Sequence, residues 1–359
     1  RGHGLQGRRQ RGGSGGGGST ANGSKGPGVS ATKIRIGVGL PDLGAVAALG
    51  PNYDDGDVKA QMDAVLKMWH EKKLVPINGR DIEFVYRSYD ITQPDAQTAA
   101  CVGWATDDDV FAVITVNNFW SAAECVANRY KIPLIVNDIY MQQTINSAGP
   151  YMFSIPYSLD QALRNQAHFM ADRGLLTNKT RIGLYYGNGT GGKPAVEGAF
   201  QQELDKMGFG KQVVAKVTTD NYSTGGAEDP VAAQQFAAKN VDLAILLVSA
   251  INQSNFQNTA TTLNYKPTYV ASDFLFTTND TAASSFSASQ YDGSLAPTSY
   301  RFGEESAGYP TEPLAAACAA NYAAHGGPTV TYRARPAEWM ALQQGCGVAR
   351  LLLAALQTM

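Results

Sequence analysis

The glycine-rich stretch at residues 187–192 is the strongest match in the sequence to a motif that carries chemistry. Glycines at positions 187, 189 and 192 satisfy the G-x-G-x-x-G pattern of dinucleotide-binding loops, and the stretch follows an apolar strand and precedes a helix. Such loops are accompanied by an acidic residue about 20 residues further on, which binds the ribose. Here Asp220 comes 28 residues after the last glycine. A ligand loop or a tight turn is therefore the better interpretation, and an NAD-type enzyme is the weaker alternative.

The residue types that catalyse reactions or bind metals are poorly placed. The four histidines, at positions 3, 70, 168 and 325, lie in the N-terminal tail or within or at the ends of predicted helices. Catalytic groups of α/β proteins instead gather at the carboxyl ends of strands, and a serine or cysteine nucleophile needs a base there. The acidic run at residues 107–109 precedes a strand, where consecutive acids normally form a solvated turn rather than a metal site. We therefore expect no enzyme activity, no cofactor and no metal.

Two large aromatic residues follow a predicted strand at residues 110–116. Phe119 and Trp120 precede Ser121 in a loop, and large rings are unfavourable to leave in water at a loop tip. Either they close a ligand pocket or the other lobe of the protein covers them. We expect them to line a pocket, because parallel α/β sheets bind ligands beyond the carboxyl ends of their strands.

The composition describes a globular body with a polar tail. Of the 359 residues, 44% are hydrophobic and 17% are charged, which excludes a disordered, collagen-like or coiled-coil chain. Residues 1–30 hold 12 of the 38 glycines, five basic residues and no acid, so residues 1–32 are predicted to be a flexible tether. Since the whole chain has a net charge of −2, the remaining body carries −7. This acidic body argues against a nucleic-acid partner.

Four cysteines, at positions 101, 125, 318 and 346, form two local couples without a C-x-x-C pair. The separations within the couples are 24 and 28 residues, about one strand plus one helix, which places each couple on successive helices that can pack side by side. We therefore predict the disulfides Cys101–Cys125 and Cys318–Cys346 and an oxidising compartment. Four buried free thiols are the alternative.

Apolar runs alternate with helical periodicity along the body, in two successive halves. In the first half, the predicted strands and helices alternate at residues 34–39, 53–72, 82–86, 95–104, 110–116, 121–129 and 133–136. In the second half they start with a helix and alternate at residues 161–173, 181–186, 194–207, 212–217, 230–239, 243–248, 252–263 and 268–271. Strands that are apolar throughout predict parallel sheets covered on both faces. The predicted fold is α/β, with two Rossmann-like lobes.

The predicted boundaries divide the body between these lobes. The first lobe comprises residues 33–155 together with 300–359, the second comprises 156–280, and residues 281–299 form a return connection. Helices predicted at 312–324 and 337–357 should pack back on the first lobe. The chain starts at an arginine and ends in an apolar helical run without a stop signal, so we expect the natural protein to extend beyond both ends.

Residues 34–50, with the sequence IRIGVGLPDLGAVAALG, are followed in order by the segments 110–113, 131–135, 151–155, 181–200, 242–248 and 269–273. Together they resemble the periplasmic-type solute-binding proteins of branched-chain amino acid and amide ABC importers, the leucine-binding-protein-like type I family. The resemblance covers residues 33–359. The order and spacing of these segments identify the family but do not identify the ligand.

The resemblance implies a protein that closes around a ligand like a hinge. Three connections between the lobes, near residues 153–157, 276–281 and 297–302, form that hinge. The protein would capture a small polar ligand outside the cytoplasm, in the periplasm or at the cell surface, and deliver it to the membrane permease of an ABC importer. The tail resembles the spacer after a lipid-modified cysteine, which would lie in a preceding segment. We expect a monomer, and the ligand-sensing ectodomain of a receptor is the alternative.

The resemblance also places the ligand-binding residues. Family members hold an amino acid's carboxylate with hydroxyl and backbone N–H groups of the second and third loops of the first lobe. Ser121 matches the second loop, with Asn118 as a further donor and Trp120 as a wall. The third loop has Asp138 and Tyr140 where hydroxyl residues are usual. The counterparts in the second lobe are Tyr186, Asn188, Thr190, Ser249 and Asp273.

The two aspartates bear on the choice of ligand. A buried carboxylate at Asp138 would repel a ligand's carboxylate, and Asp138 and Asp273 would supply hydrogen-bond acceptors from opposite lobes. Trp120 and Tyr140 would wall the cleft. The ligand class stays open between an amino acid, an amide, a polyol and an amine, with donor-rich ligands favoured over simple apolar amino acids.

Overall fold

Two parallel sheets organise the computed structural model, which describes residues 26–45, 53–189, 192–221, 225–278, 280–283, 285–300, 305 and 307–359. The first sheet has five strands in the order β2-β1-β3-β4-β5, namely β1 Lys33–Asp42, β2 Asp81–Asp90, β3 Ala112–Thr115, β4 Leu134–Val136 and β5 Met152–Ser154. All neighbouring strands are parallel, with Ile36 paired to Ala112 and Ile114 paired to Ile135. Every residue of β3 and β4 is buried, because helices cover both faces of the sheet.

The second sheet has four strands in the order β7-β6-β8-β9. These are β6 Ile182–Gly187, β7 Val213–Thr219, β8 Leu243–Leu247 and β9 Thr268–Tyr269, and all of them run parallel. Each sheet carries its own buried apolar clusters on its two faces. The predicted α/β fold with two parallel sheets is therefore confirmed.

The helices of the first lobe come from both ends of the chain. They are α1 Val58–Glu71, α2 Pro94–Thr106, α3 Gln142–Ala148, α11 Pro313–Ala324 and α12 Pro336–Gln357, with a π-helical turn at Cys125–Arg129. In α1 the Asp57 side chain accepts a hydrogen bond from the Ala60 N–H and caps the helix at 2.9 Å. Met62 and Trp69 on its apolar face are almost completely buried in the core.

In the sequence, the helices of the second lobe come after α3 and before α11. They are α4 Leu159–Asp172, α5 Lys193–Ala195, α6 Gln201–Lys206, α7 Glu228–Ala238, α8 Ala250–Thr262, α9 Asp280–Ala283 and α10 Ala288–Tyr291, with a π-helical segment Val196–Phe200 between α5 and α6. Ser158 caps α4 by accepting a hydrogen bond from the Gln161 N–H. The cap places the start of α4 directly after the first connection between the lobes.

Helix α12 is long and apolar enough to cross a membrane, but it is a core helix here. Of its most apolar 18-residue window, 61% is buried inside the fold. Val348 and Leu352 pack against Ile36 and Ile114 of the first sheet. Helix α12 contacts α1 and α11. The C-terminal helices therefore return to the first lobe, as the sequence predicted.

Both predicted disulfides are present. Cys101 on α2 is bonded to Cys125 at the start of the π-helical turn, and Cys318 on α11 is bonded to Cys346 on α12. The alternative of four free thiols is therefore wrong for this structure. Both bonds reinforce the first lobe.

Two segments differ from what the sequence predicted. Residues 26–32, expected to belong to the tether, contact the first lobe, where Val29 pairs with Ile34 and a Cβ at Gly28 would lie 2.0 Å from the Phe111 nitrogen. Residues 281–299, expected as a plain connection, contain α10 and extend the second sheet, since the Leu295 N–H donates to the Tyr269 carbonyl at 3.0 Å. Backbone pairing with the start of β1 explains the first difference, and pairing with the edge strand β9 explains the second.

The loop after β4 also differs, because it continues into the unpredicted helix α3. The first connection between the lobes runs from β5 through Pro156 to α4, as predicted. The other two connections include residues 279 and 301–304, which lie outside the described residues. The lobe boundaries as a whole stay a prediction.

Candidate functional site

A cavity of about 690 Å³ lies between the lobes, at the carboxyl ends of the first sheet's strands. Its size is typical of small-molecule sites. The first lobe contributes Trp120, Ser121, Glu124, Asn128, Ile139, Tyr140, Met141, Gln143, Thr144 and Ser147, and the second lobe contributes Leu159, Pro194, Asp273, Phe274 and Leu275. The structure therefore brings four of the predicted site residues together in one cavity, namely Trp120, Ser121, Tyr140 and Asp273.

The loop after β3 is held in place by Asp138, which follows β4. One carboxylate oxygen of Asp138 accepts the Asn118 N–H at 2.8 Å and the other accepts the Phe119 N–H at 3.0 Å. The side chain is completely buried, and this burial raises the pKa of Asp138 to about 6, although the backbone hydrogen bonds favour the ionised form. Asp138 does not line the cavity and acts on it by positioning the loop.

The two aromatic residues of this loop have different environments. Phe119 is completely buried, with its ring 5.1 Å from that of Tyr89 and 5.8 Å from that of Trp104. Trp120 is half-buried and lines the cavity. Trp120 therefore lies at the cavity, whereas Phe119 is covered by the core of its own lobe, and not by the other lobe or the cavity as predicted.

Tyr140 joins the second and third loops at the cavity wall. Its hydroxyl donates to the Phe119 carbonyl, and its ring is 7% exposed on the cavity side. Burial raises the pKa of Tyr140 well above the ordinary tyrosine value, so the hydroxyl stays protonated. Tyr140 is thus a rigid wall rather than a titrating group.

Ser121 and Asn118 are placed differently from each other. Ser121 is exposed and lines the cavity, and its backbone N–H donates to the Gln97 side chain at 2.9 Å. Asn118 has a φ of 59° in the left-handed region and donates its side-chain amide to Asn117. Asn118 does not line the cavity, so its contribution is to the shape of the loop.

A row of polar residues that the sequence analysis missed continues the cavity along the first lobe. Ser121 lies just before the helical turn that contains Glu124 and Asn128, and all three side chains line the cavity. The Asn128 amide donates to the Ser147 hydroxyl of α3 at 3.0 Å, which places α3 beside this turn. The helical spacing was a usable signal, but the partner helix α3 was not predicted.

Asp273 carries the cavity wall of the second lobe. It is 5% exposed, and its oxygens accept from the Thr278 hydroxyl at 2.7 Å and from the Ser299 hydroxyl at 2.8 Å. The Ser299 N–H donates to the same carboxylate. Asp273 therefore both lines the cavity and ties the end of the second sheet to the returning chain.

The other predicted residues of the second lobe do not line the cavity. The Tyr186 hydroxyl is directed to Glu197 and burial raises its pKa to about 12, Asn188 donates to Asp220, and Ser249 caps α8. Thr190 lies outside the described residues. Pro194, Phe274 and Leu275 take their place in the wall.

The glycine-rich stretch makes a tight turn at its described ends. The Gly192 N–H donates to the Gly189 carbonyl at 3.2 Å, and a Cβ at position 192 would lie 2.3 Å from the Gly187 oxygen. No group of three metal-binding side chains occurs among the described residues.

A second buried polar group lies where β3 meets α12. The Asn117 amide donates to Asp55 and to Gln344, each at 3.1 Å, and the Tyr89 hydroxyl donates to the Asn117 carbonyl at 2.7 Å. Burial raises the pKa of Asp55 to about 7. These contacts anchor the C-terminal helix to the base of the second loop, and no spacing in the sequence indicated them.

This architecture and its interlobe cavity are those of periplasmic binding proteins. The model of that family, described as periplasmic binding protein, matches residues 33–356, so the chain belongs to this family. Membership confirms the predicted class, ligand-binding proteins that work outside the cytoplasm. No curated protein sequence matches the chain.

Solved structures support the same fold. A possible leucine/isoleucine/valine-binding protein from Rhodopirellula baltica has a TM-score of 0.68 at 14% identity, covering 91% of this chain and 82% of that one. An ABC transporter solute-binding protein from Rhodopseudomonas palustris, in complex with 3,4-dihydroxybenzoic acid, has a TM-score of 0.60 at 17% identity over 91% and 81%. A substrate-binding protein from Desulfitobacterium hafniense in complex with Leu has a TM-score of 0.62 at 15% identity over 91% and 84%.

Proposed function

We propose that this protein captures a small polar solute between its two lobes and delivers it to the membrane permease of an ABC importer. The observation that carries the proposal is the cavity of about 690 Å³, because side chains from both lobes line it. A ligand that contacts both walls binds the closed arrangement more tightly than an open one and shifts the population towards it. No bond needs to be made or broken.

The residues divide into those that touch the ligand and those that position them. Trp120 and Tyr140 wall the cavity, the Ser121 hydroxyl supplies a donor and acceptor, and Asp273 supplies an acceptor from the second lobe. Asp138 positions the second loop through two backbone hydrogen bonds. We assign the remaining predicted residues, Asn118, Tyr186, Asn188 and Ser249, to shaping the loops around the cavity.

The ligand class and the cellular setting are the finer parts of the proposal. The similar solved structures include complexes with a benzoic acid and with leucine, and a fatty acid ABC transporter protein, so no single ligand is carried over to this chain. The ligand remains an amino acid, amide, polyol or amine. The two disulfides suit an oxidising, extracytoplasmic compartment. We further propose a monomer attached to the membrane by a lipid anchor that precedes the tail.

Ligand screening tests the proposal. Native mass spectrometry and a thermal-shift screen over amino acids, amides, polyols, amines and aromatic acids should identify at least one solute that raises the melting temperature. Small-angle scattering should then show a smaller radius of gyration with that solute, and the solute should be recovered unchanged. Binding of a dinucleotide without any small solute would instead favour the NAD-type enzyme.

A further inference from the structure

The charged side chains that line the cavity are all acidic among the residues that the structure describes. Among the lining residues they are Glu124 and Asp273, and the described lining contains no lysine, arginine or histidine. Lys193 precedes Pro194, but its side chain is exposed and does not line the cavity. A carboxylate ligand would add a third negative charge to this space, whereas a cation would be attracted into it.

The two carboxylates differ in how much of their bonding capacity is used. Glu124 is exposed and makes no hydrogen bond or ion pair with any residue that the structure describes. Asp273 receives three donors, two of them on the oxygen that faces Ser299, so its other oxygen keeps a free acceptor position. Both can therefore bind an ammonium group, Glu124 from the first lobe and Asp273 from the second.

The remaining wall suits an apolar body. Eight of the fifteen lining residues are apolar or aromatic, namely Trp120, Ile139, Tyr140, Met141, Leu159, Pro194, Phe274 and Leu275. The rings among them attract cations through their faces as well as apolar groups. The polar side chains concentrate instead on the helix face that includes Glu124 and on the neighbouring α3.

We propose that the cavity selects a cationic amine with an apolar or aromatic body and rejects carboxylates of the same shape. The inference rests on the proposed function and narrows its ligand class. The combination of two carboxylates, no described basic side chain and three aromatic rings carries it.

Three probes that share a phenylethyl body but differ in the charge of the end group test the preference. We would measure binding of 2-phenylethylamine, 2-phenylethanol and 3-phenylpropanoate to the full chain by calorimetry at low salt. The amine should bind about tenfold more tightly than the carboxylate, with the alcohol between them. Added salt should weaken binding of the amine and leave binding of the alcohol unchanged.

Substitution of Glu124 tests the residue that carries the preference. Glu124→Gln should weaken binding of the amine about threefold to tenfold without affecting binding of the alcohol. Glu124→Lys should reverse the order of affinities, so that the carboxylate binds more tightly than the amine. Asp172→Asn is the matched control, because Asp172 is an exposed acid at the end of α4 and outside the cavity. A reversal of preference cannot result from misfolding.

The outcomes separate the inference from the proposed function. Tighter binding of the carboxylate than of the amine by the native chain would overturn the inference while leaving solute capture intact. Equal binding of all three probes, unchanged in both Glu124 variants, would do the same. Failure of these probes and of every solute in the wider screen would overturn the proposed function and the inference with it.

Discussion

The two lobes are built on similar parallel sheets but are reinforced by different means. Both disulfides join helices of the first lobe, and no cysteine occurs between residues 126 and 317. The second lobe instead has a buried carboxylate, Asp229, at the start of α7. It accepts hydrogen bonds from the Tyr185 hydroxyl, from Asn252 at 2.8 Å, from Asn255 at 2.9 Å and from the Gly226 N–H.

The first lobe is therefore cross-linked covalently, whereas hydrogen bonds to the buried Asp229 carboxylate connect elements of the second lobe. The Asp229 network joins β6, α7 and α8, much as each disulfide joins two helices. A reductant should therefore affect the first lobe, and loss of the Asp229 carboxylate should affect the second. Three of the four tryptophans, Trp69, Trp104 and Trp339, are buried in the first lobe, and Trp120 lines the cavity, so their fluorescence reports mainly on the first lobe.

Replacing Asp229 by alanine should cause the largest loss of stability, about 3 to 5 kcal/mol, because the buried Tyr185 hydroxyl and Asn252 amide would lose their acceptor. Denaturant unfolding followed by circular dichroism measures the loss. Hydrogen exchange should accelerate in β6 and α8 before the tryptophan signal changes.

Asp172→Asn provides the comparison for this variant. Because Asp172 is exposed and has no described partner, its substitution should change the unfolding free energy by less than about 0.5 kcal/mol. If Asp229→Ala resembled this control, the network would not reinforce the second lobe.

Removing the Cys101–Cys125 bond should destabilise the first lobe and leave the second lobe unchanged, the reverse of Asp229→Ala. The double substitution Cys101→Ala with Cys125→Ala should cost roughly 3 kcal/mol, the chain-entropy value for a loop of this length. The tryptophan transition should move to lower denaturant while hydrogen exchange in β6 and α8 stays as in the native chain. A reductant also opens Cys318–Cys346 and should shift the transition of the native chain at least as far. An unchanged transition after thiol titration has shown both bonds reduced would mean that neither bond adds stability.

Much of this architecture was predictable, because strands and helices bury apolar residues at fixed periods. Val58, Met62, Val65 and Trp69 mark α1 by their spacing, and the cysteine separations matched successive packed helices. Helix α3, Gln142–Ala148, has a mostly polar sequence and a single buried residue, so no apolar period indicated it. Its position depends on packing against the π-helical turn.

The site was predicted only in part, because sequence order gives the position of a residue but not the direction of its side chain. Sequence order shows that Asp138 follows a strand, but it does not show where the side chain points. Asp138 turns inward to two backbone N–H groups, whereas Asp273 lines the cavity. The missed residues Glu124 and Asn128 belong to a helix face that becomes a wall only when α3 and the second lobe are in place.

The buried Asp138 of the first lobe should make stability depend on pH. Its pKa rises from the ordinary 3.8 to about 6 on folding, because burial outweighs the hydrogen bonds to its ionised form. Between these values the folded state binds a proton that the unfolded state has released. The free energy of unfolding should therefore fall as pH rises from about 4 to about 6, by roughly 2 to 3 kcal/mol from this group.

The variant Asp138→Asn isolates this contribution. Denaturant titrations of both proteins across the same range should show the native chain losing stability relative to the variant as pH rises to about 6, with a constant difference above that. Asp55, whose pKa is raised to about 7, is present in both proteins and cancels. Parallel pH profiles would show that Asp138 is ionised in the folded protein throughout the range.

The smallest expected effect concerns Asp273, the aspartate on the opposite wall of the cavity. Ser299→Ala removes the hydroxyl that donates to its carboxylate at 2.8 Å but keeps the backbone N–H donor, so the unfolding free energy should fall by about 1 kcal/mol. Ser289→Ala removes a hydroxyl whose hydrogen bond to Ser287 is exposed, whereas the bond from Ser299 to Asp273 is partly buried, so Ser289→Ala should cost less. Equal losses in denaturant unfolding would mean that the Ser299 hydroxyl does not secure the returning chain. A larger loss for Ser299→Ala would show that hydrogen bonds to Asp273 hold the returning chain on the second lobe, which has no disulfide.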